Sequence, residues 1–544
     1  MSKAYGTTGE DEKEATVSDP DEILKNIGGC GRFQLRISIL IHLIKTVVCF
    51  AFYNLLIFTK VNSWSCDDNI MFERNHSITF YGNVTTNITG FSGEKSCVNI
   101  NGTQCQKYRF DESLNDIVNE FDLVCKKDFV PTLVASINIF GVLVGNFVGG
   151  QLADLIGRKI PFFASLLLLF TMHLVGYFST SWQMFAVATF FVGMGGGFFL
   201  TTQYCLLAEF TLSKWRSWIV GFPSWPIQAC LMSMVAWLLH DWRYMQLLTG
   251  LMAVPCLLAW FWIPESFRWY ISHDKIDKAE AIINDIAKVN GKTTDGIHIT
   301  TDKQTVESKD GDRRYTVLDL FKSRELTITT LLLMFVWGSM GVTSYGIGFG
   351  IQTLSGNIYF NTFLFSLFSI PSKGIAIFLQ NRFGRRLASI ICYGIVAGAS
   401  LTIGVVQTLN LEHKDSVTNV LAIIANTAVS ASWGPVQTMT LELYPTVIRN
   451  ISFGSHSVIG RAGAILGPQL VYLNSYFEGL LFYICGAISL LCVFALFFLR
   501  ETMDQHLEDK LSSQKSEKVI DKIVDDSNVK EDVLNANGNT ISRY

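Results

Sequence analysis

Apolar residues in this chain neither alternate nor keep to one helical face. They come in runs of about 20, separated by short polar or basic breaks. Twelve such runs can be drawn. They span 36–59, 130–152, 160–179, 183–208, 217–240 and 244–263, then 326–347, 357–380, 387–408, 418–441, 453–474 and 479–499. A helix of that length crosses ~30 Å of hydrocarbon, and the runs are too long for barrel strands. In lipid a helix satisfies its own backbone polar groups. The pattern therefore predicts an all-α membrane protein of twelve transmembrane helices in two six-helix bundles.

The polar segments between runs set the organisation. Residues 1–35 form an acidic tail with no apolar signal-peptide core, so the first long run is expected to direct insertion. Residues 36–270 hold the first six runs and a long loop at 60–129. Residues 271–325, charged and weakly apolar, join the halves. Residues 326–502 hold the second six runs, and 503–544 read as a solvated, disordered tail.

The halves repeat each other. Gly149–Lys159 reads Gly-Gly-Gln-Leu-Ala-Asp-Leu-Ile-Gly-Arg-Lys, and Leu379–Arg386 reads Leu-Gln-Asn-Arg-Phe-Gly-Arg-Arg. Each is a tight basic turn between two runs. Glu209 and Arg216 leave one run with the same spacing as Glu442 and Arg449 leave another. Pro264-Glu265-Ser266-Phe267-Arg268-Trp269 closes the first half, and Leu499-Arg500-Glu501-Thr502 closes the second. Asn381 stands where the first turn has Asp154, so the second turn is a degenerate copy.

Composition narrows the function classes. Only 16% of residues are charged, against about 25% in soluble domains. The net charge of -3 gives no reason to invoke nucleic acid. No phosphate-binding Gly-rich loop and no His-Glu-x-x-His cluster occurs, so neither cofactor nor metal is expected; Gly291-Lys292-Thr293 is a polar loop. Cys66, Cys97, Cys105 and Cys125 share the long first loop with four glycosylation sequons, at Asn75, Asn83, Asn87 and Asn101. Sequons with an even cysteine count point to an oxidising, extracellular loop, with three pairings possible. Both termini are then cytoplasmic. The inner loops carry Arg158, Lys159, Lys214, Arg216, Arg382, Arg385, Arg386 and Arg449, whereas the short outer loops are nearly free of Lys and Arg, with Arg243 beside Asp241 an exception, as the positive-inside bias requires.

These residues resemble a known family. The turn at Gly150–Lys159 is similar to the signature of the major facilitator superfamily. The cysteine-bearing first loop, Asp241-Trp242-Arg243, Pro264–Trp269, Glu442–Thr446 and Arg449-Asn450 resemble its transporters of organic anions, cations and carnitine. The resemblance implies a polyspecific plasma-membrane carrier of small organic ions, not an enzyme, working by facilitated diffusion or exchange with alternating access. It gives Asp154, Arg158, Lys159, Glu209, Arg216, Arg385, Arg386, Glu442 and Arg449 the role of gating charges. These would pair between bundles when the cytoplasmic side is closed; topology anchoring is the plainer alternative.

An ionisable residue inside a span is costly and points to function. No Asp or Glu lies deep in any run, but Lys373 and Arg461 do, each about 10–13 Å from the cytoplasmic end of its run. A guanidinium fork and an ammonium suit a carboxylate or sulfonate. The plainer readings are snorkelling for Lys373 and bonding to backbone carbonyls near Gly463, Gly467 and Pro468 for Arg461. The anion branch of the family carries Lys and Arg at similar positions, so organic anions are the favoured substrate, with an internal carboxylate as a possible exchange partner. An organic cation or a carnitine-like zwitterion is the alternative. Tyr345, Trp225 and Tyr359 are candidate aromatic contacts. Lys45, with His42 one turn before it, reads as a snorkelling cation, and His173 as a satisfied core residue. Oligomeric state is not readable.

Overall fold

The computed structural model describes residues 20–61, 64–66, 97, 104–105, 107–110, 115–212, 215, 219, 222–293, 316–409 and 413–503. The four sequons, Lys214, Arg216 and both tails lie outside these. Twelve long helices run through the described residues. The first six are α1 (Arg32–Phe58), α2 (Val130–Ile156), α3 (Lys159–Tyr177), α4 (Trp182–Glu209), α5 (Ser224–Leu239) and α6 (Trp242–Leu257). The second six are α7 (Arg324–Gly350), α8 (Ile358–Phe383), α9 (Arg385–Thr408), α10 (Lys414–Glu442), α11 (Thr446–Asn474) and α12 (Leu480–Phe497).

Several helices start where the sequence supplies a capping oxygen. Ser181, Asp241, Ser323 and Asn357 each accept from a backbone N–H in the first turn that follows. Other boundaries overrun the apolar runs. α1 begins at Arg32, and α11 begins at Thr446, well before residue 453. Polar residues extend these helices beyond the apolar runs; Arg32 and Arg36 are exposed, whereas Gln34 and Ser452 are buried.

Within each bundle the helices approach closely through small residues, as packing in lipid favours. A side chain on Gly341 of α7 would run into the Gly460 carbonyl of α11, and one on Gly193 of α4 into the Asn138 carbonyl of α2. Between bundles, α2 packs against α11 and α5 against α8.

The side bearing the long first loop is closed. Strands β1 (Trp64–Cys66) and β2 (Tyr108–Phe110) pair antiparallel. Disulfides join Cys66 to Cys105 and Cys97 to Cys125, with Cα separations of 5.9 and 5.7 Å. These choose one of the three pairings. Arg243, at the start of α6 on this side, forks onto Glu120 and also donates to the carbonyls of Tyr177 and Ser179.

Across the bundles, the Ser136 hydroxyl donates to the Ile465 carbonyl at 2.9 Å, and the Gln469 amide to Ser136 at 2.9 Å. The Gln352 amide donates to the Leu56 carbonyl and the Thr59 hydroxyl, and Tyr472 and Tyr476 both donate to Asp128. These hydrogen bonds between the bundles, and the ring contact of His240 with Tyr359, lie in this half of the molecule.

The opposite side, with the basic turns, carries two short helices against the first bundle. Ile23 and Leu24 of Pro20–Asn26 are fully buried. Asn290, at the end of Ile276–Asn290, accepts from the Phe33 N–H at 2.9 Å and donates to the Ile27 carbonyl at 2.9 Å. It ties the central segment to the first turn of α1.

Candidate substrate site and gating clusters

Three cations lie in mid-helix. Lys45 is the fourteenth of 27 residues in α1, about 20 Å from either end. This corrects the snorkelling reading. The helix starts earlier than the apolar run, so Lys45 sits at its centre, and it is only 4% exposed. Its ammonium donates to the Ser224 hydroxyl at 3.0 Å and lies 5.8 Å from the Trp225 ring centroid. Ser224 in turn bonds His42 Nδ1 at 3.0 Å, and His42 Nε2 meets the Ile219 carbonyl at 2.9 Å.

Lys373 lies about 15 Å from the basic-turn end of α8. It donates to the Ser430 carbonyl of α10 at 2.6 Å. Because it turns inward to α10, it is not snorkelling. Arg461 lies about 22 Å into α11, deeper than its apolar run implied. Its Nη1 donates to the Tyr345 hydroxyl of α7 at 2.7 Å, not to the carbonyls near Gly463 or Pro468. Its Nε and Nη2 have no protein partner among the described residues and are not sealed in. None of these three cations has a carboxylate partner among the described residues.

Aromatic rings from both bundles connect the cations. Phe52 of α1 packs edge-on to Tyr345 at 5.5 Å and to Phe349 at 5.9 Å, and lies 6.0 Å from Trp225. Tyr53 lies 6.4 Å from Trp225 and interacts with Ser366 of α8. Trp225 and Tyr345 thus belong to one cluster with Arg461. Tyr359 does not. It sits in the first turn of α8, about 21 Å along the helix from Lys373, against His240 on the disulfide-bearing side. Phe52 and Tyr53 went unread among 40 phenylalanines and 17 tyrosines; their signal was their position two turns past Lys45 on the same helix. His173 is buried against the Gln246 side chain, as expected.

The repeated turns are built alike. Gly157 and Gly384 hold φ of 101° and 95°, a region that glycine adopts without strain. Just beyond each, a helix N-terminus meets a carboxylate. Glu265 accepts from the N–H of Arg158 at 2.7 Å, and Glu501 from that of Arg385 at 2.8 Å. Both also accept from the next N–H, of Lys159 and of Arg386. Arg158 pairs with Glu209 at 3.0 Å and with Asp154 at 3.1 Å. Arg385 pairs with Glu442 at 3.1 Å and, having Asn381 in place of an aspartate, uses the Gln380 carbonyl at 3.3 Å. Lys159 lies over Trp260 at 4.4 Å, and Arg386 donates to the Leu499 carbonyl.

These ion pairs run within each bundle; pairing between bundles is expected only when the cytoplasmic side is closed. Their unspent atoms are complementary. Glu209 Oε2 in the first bundle has no partner among the described residues, nor do Arg385 Nε, Arg449 Nε and Arg449 Nη2 in the second.

The family described as sugar (and other) transporter matches residues 79–511. The chain belongs to that family. The rat organic cation/carnitine transporter 2 is 31% identical, over 74% of this chain and 74% of its own length. The Drosophila melanogaster organic cation transporter protein is 30% identical, over 75% of this chain and 76% of its own length. Rat solute carrier family 22 member 7 is 26% identical over 90% and 97%. Among solved structures, the xylose transporter XylE from E. coli in a partially occluded inward open conformation matches with a TM-score of 0.58. It is 16% identical and covers 87% of this chain and 100% of that one, a likeness of fold. The transporter is therefore a multi-pass membrane protein of the major facilitator superfamily that carries small organic ions. It is not an enzyme.

Proposed function

We propose that the transporter carries organic anions across the plasma membrane by alternating access, with both termini cytoplasmic. The observation that carries this reading is the trio of Lys45, Lys373 and Arg461, three cations at mid-membrane depth with no carboxylate partner among the described residues. Only Asp154, Glu209, Glu325, Asp415 and Glu442 among the carboxylates fall in the twelve helices, all in terminal turns. An anion supplies the missing counter-charge. The open Nε and Nη2 of Arg461 form the edge of a fork that takes a carboxylate bidentately. Phe52, Tyr53, Trp225 and Tyr345 give its flat apolar part a surface.

In this reading the structure is the state open toward the cytoplasm, since the bundles are hydrogen-bonded to each other in the other half. Closing that side would bring Glu209 within reach of Arg385 and Arg449, whose leftover donors match its leftover oxygen. Asp154, Arg158, Lys159, Glu209, Arg216, Arg385, Arg386, Glu442 and Arg449 then act as gate rather than as substrate contacts. An internal carboxylate is a natural exchange partner.

The second reading is an organic cation or carnitine-like zwitterion. The aromatic cluster favours it through cation–π contact, as does the likeness to the rat organic cation/carnitine transporter 2 and the Drosophila organic cation transporter protein. Uptake of one labelled aromatic carboxylate, one quaternary ammonium and carnitine into expressing cells, with and without carboxylate preloading, tests both. Uptake of the ammonium without the carboxylate overturns the anion reading.

A further inference from the structure

One face of α1 turns away from the bundle at its basic-turn end. Arg32, Leu35, Arg36, Ile39 and Leu43 lie along it, and with Leu40 and Trp262 they line an open groove of about 530 Å³. Leu35, Ile39, Leu43 and Trp262 are 59%, 52%, 62% and 53% exposed. From Arg32 to Leu43 the groove runs about 16 Å along the helix, roughly half of a ~30 Å hydrocarbon core. Its apolar part therefore matches the depth of one leaflet, with the arginines at headgroup level.

The two arginines differ from their neighbours. Several basic side chains on this side have protein partners: Arg158 on Glu209, Arg268 on Asp21, Arg385 on Glu442, and Lys159 over Trp260. Arg32 and Arg36 are exposed and have none among the described residues. They stand one turn apart at the positive end of a 27-residue helix.

We propose that this groove is a binding site for one anionic phospholipid of the cytoplasmic leaflet, with its phosphate on Arg32 and Arg36 and an acyl chain along Leu35, Ile39 and Leu43. Two guanidinium forks suit a phosphate. A zwitterionic headgroup brings its own cation against them, so charge selects the anionic lipid. The inside-leaflet placement rests on the topology proposed above. The lipid has a structural reach as well. Trp262 precedes the segment that leads to Ile276–Asn290, and Asn290 grips the first turn of α1. A seated lipid spans both ends of that tether.

The test is native mass spectrometry of the purified full-length transporter, titrated with phosphatidylserine or phosphatidylcholine. Wild type should retain one phosphatidylserine and release phosphatidylcholine. The double variant Arg32→Gln/Arg36→Gln should bind phosphatidylserine roughly 30-fold more weakly, at about fivefold per charge. Ile39→Trp, which keeps both arginines and fills the acyl track, should also weaken it. Arg382→Gln, an exposed arginine outside the groove, should not. Glycerophosphoserine in excess should fail to displace the lipid. Unchanged phosphatidylserine binding by the double variant, equal binding of phosphatidylcholine by wild type, or displacement by the free headgroup would each overturn the proposal. Lipid selectivity is read without transport, so the outcome is independent of whether the substrate is an anion.

Discussion

Replacing Arg461 is the sharpest test of the substrate site. The guanidinium sits near the middle of a 29-residue helix, too deep to reach either surface. One of its five N–H donors is spent on Tyr345 at 2.7 Å. If a substrate carboxylate occupies the open edge, Arg461→Ala leaves that carboxylate unpaired. The loss is on the order of 2–5 kcal/mol, or roughly 30- to 5,000-fold in kcat/KM. Arg461→Lys keeps the charge and loses the fork, so it should recover only part of the activity. Tyr345→Phe removes the group that orients the fork. A hydrogen bond to a charged donor is worth about 1.5–3 kcal/mol, and water can replace it here, so a loss of about tenfold is expected. Tyr345→Phe on top of Arg461→Ala should then cost little more, because the tyrosine acts through the arginine. The assay is initial-rate uptake of a labelled aromatic carboxylate, corrected for protein at the surface. Normal uptake by Arg461→Ala refutes the reasoning and leaves Arg461 a structural cation. Equal losses from Tyr345→Phe with and without Arg461 would detach the tyrosine from it.

Lys45→Gln should weaken anion uptake about tenfold if its ammonium faces the substrate, at ~1.4 kcal/mol per decade; a cation outside the site would leave KM unchanged. Asp154→Asn and Arg449→Ala should slow uptake without changing the ranking of substrates, so a changed ranking at normal turnover contradicts the gating role. Glu265→Gln and Glu501→Gln should each lower the melting temperature in detergent, by the ~1 kcal/mol typical of a lost helix cap, and to a similar extent. Removing all four sequons, at Asn75, Asn83, Asn87 and Asn101, should increase gel mobility by several glycans; an unshifted band would reverse the proposed topology.

The repeated landmarks were legible because they are local. The turns, the Glu-to-Arg spacing and the closing Glu265 and Glu501 can all be read within a few residues. What Glu265 and Glu501 do was not legible, since each caps a helix that begins more than 100 residues earlier. The disulfide partners were open for the same reason. Lys45 was misread because helix boundaries were drawn from apolarity alone. Arg32, Gln34 and Arg36 interrupt the apolar run, yet they extend α1 and move its midpoint onto Lys45. α10 and α11 show the converse. They are less apolar than the other long helices, yet each still carries an apolar run long enough to be drawn as a span. Phe52 and Tyr53 gained meaning only when α1 was set beside α5 and α7.

The two ends of the seam between bundles are made of different materials. On the disulfide-bearing side the contacts are hydroxyls and amides meeting carbonyls, with Asp128 as an acceptor, and among the described residues no cation–carboxylate pair crosses. Such bonds exchange with water at a net cost of about 0.5–1.5 kcal/mol each and respond little to ionic strength. At the other end the proposed gate is built from carboxylates and guanidiniums, whose attraction salt would screen within about 8–10 Å. Raising the salt should therefore loosen one door and leave the other as it was. On the proposed gating, the resting position of the transporter would be a function of the medium it is dissolved in, before any substrate arrives.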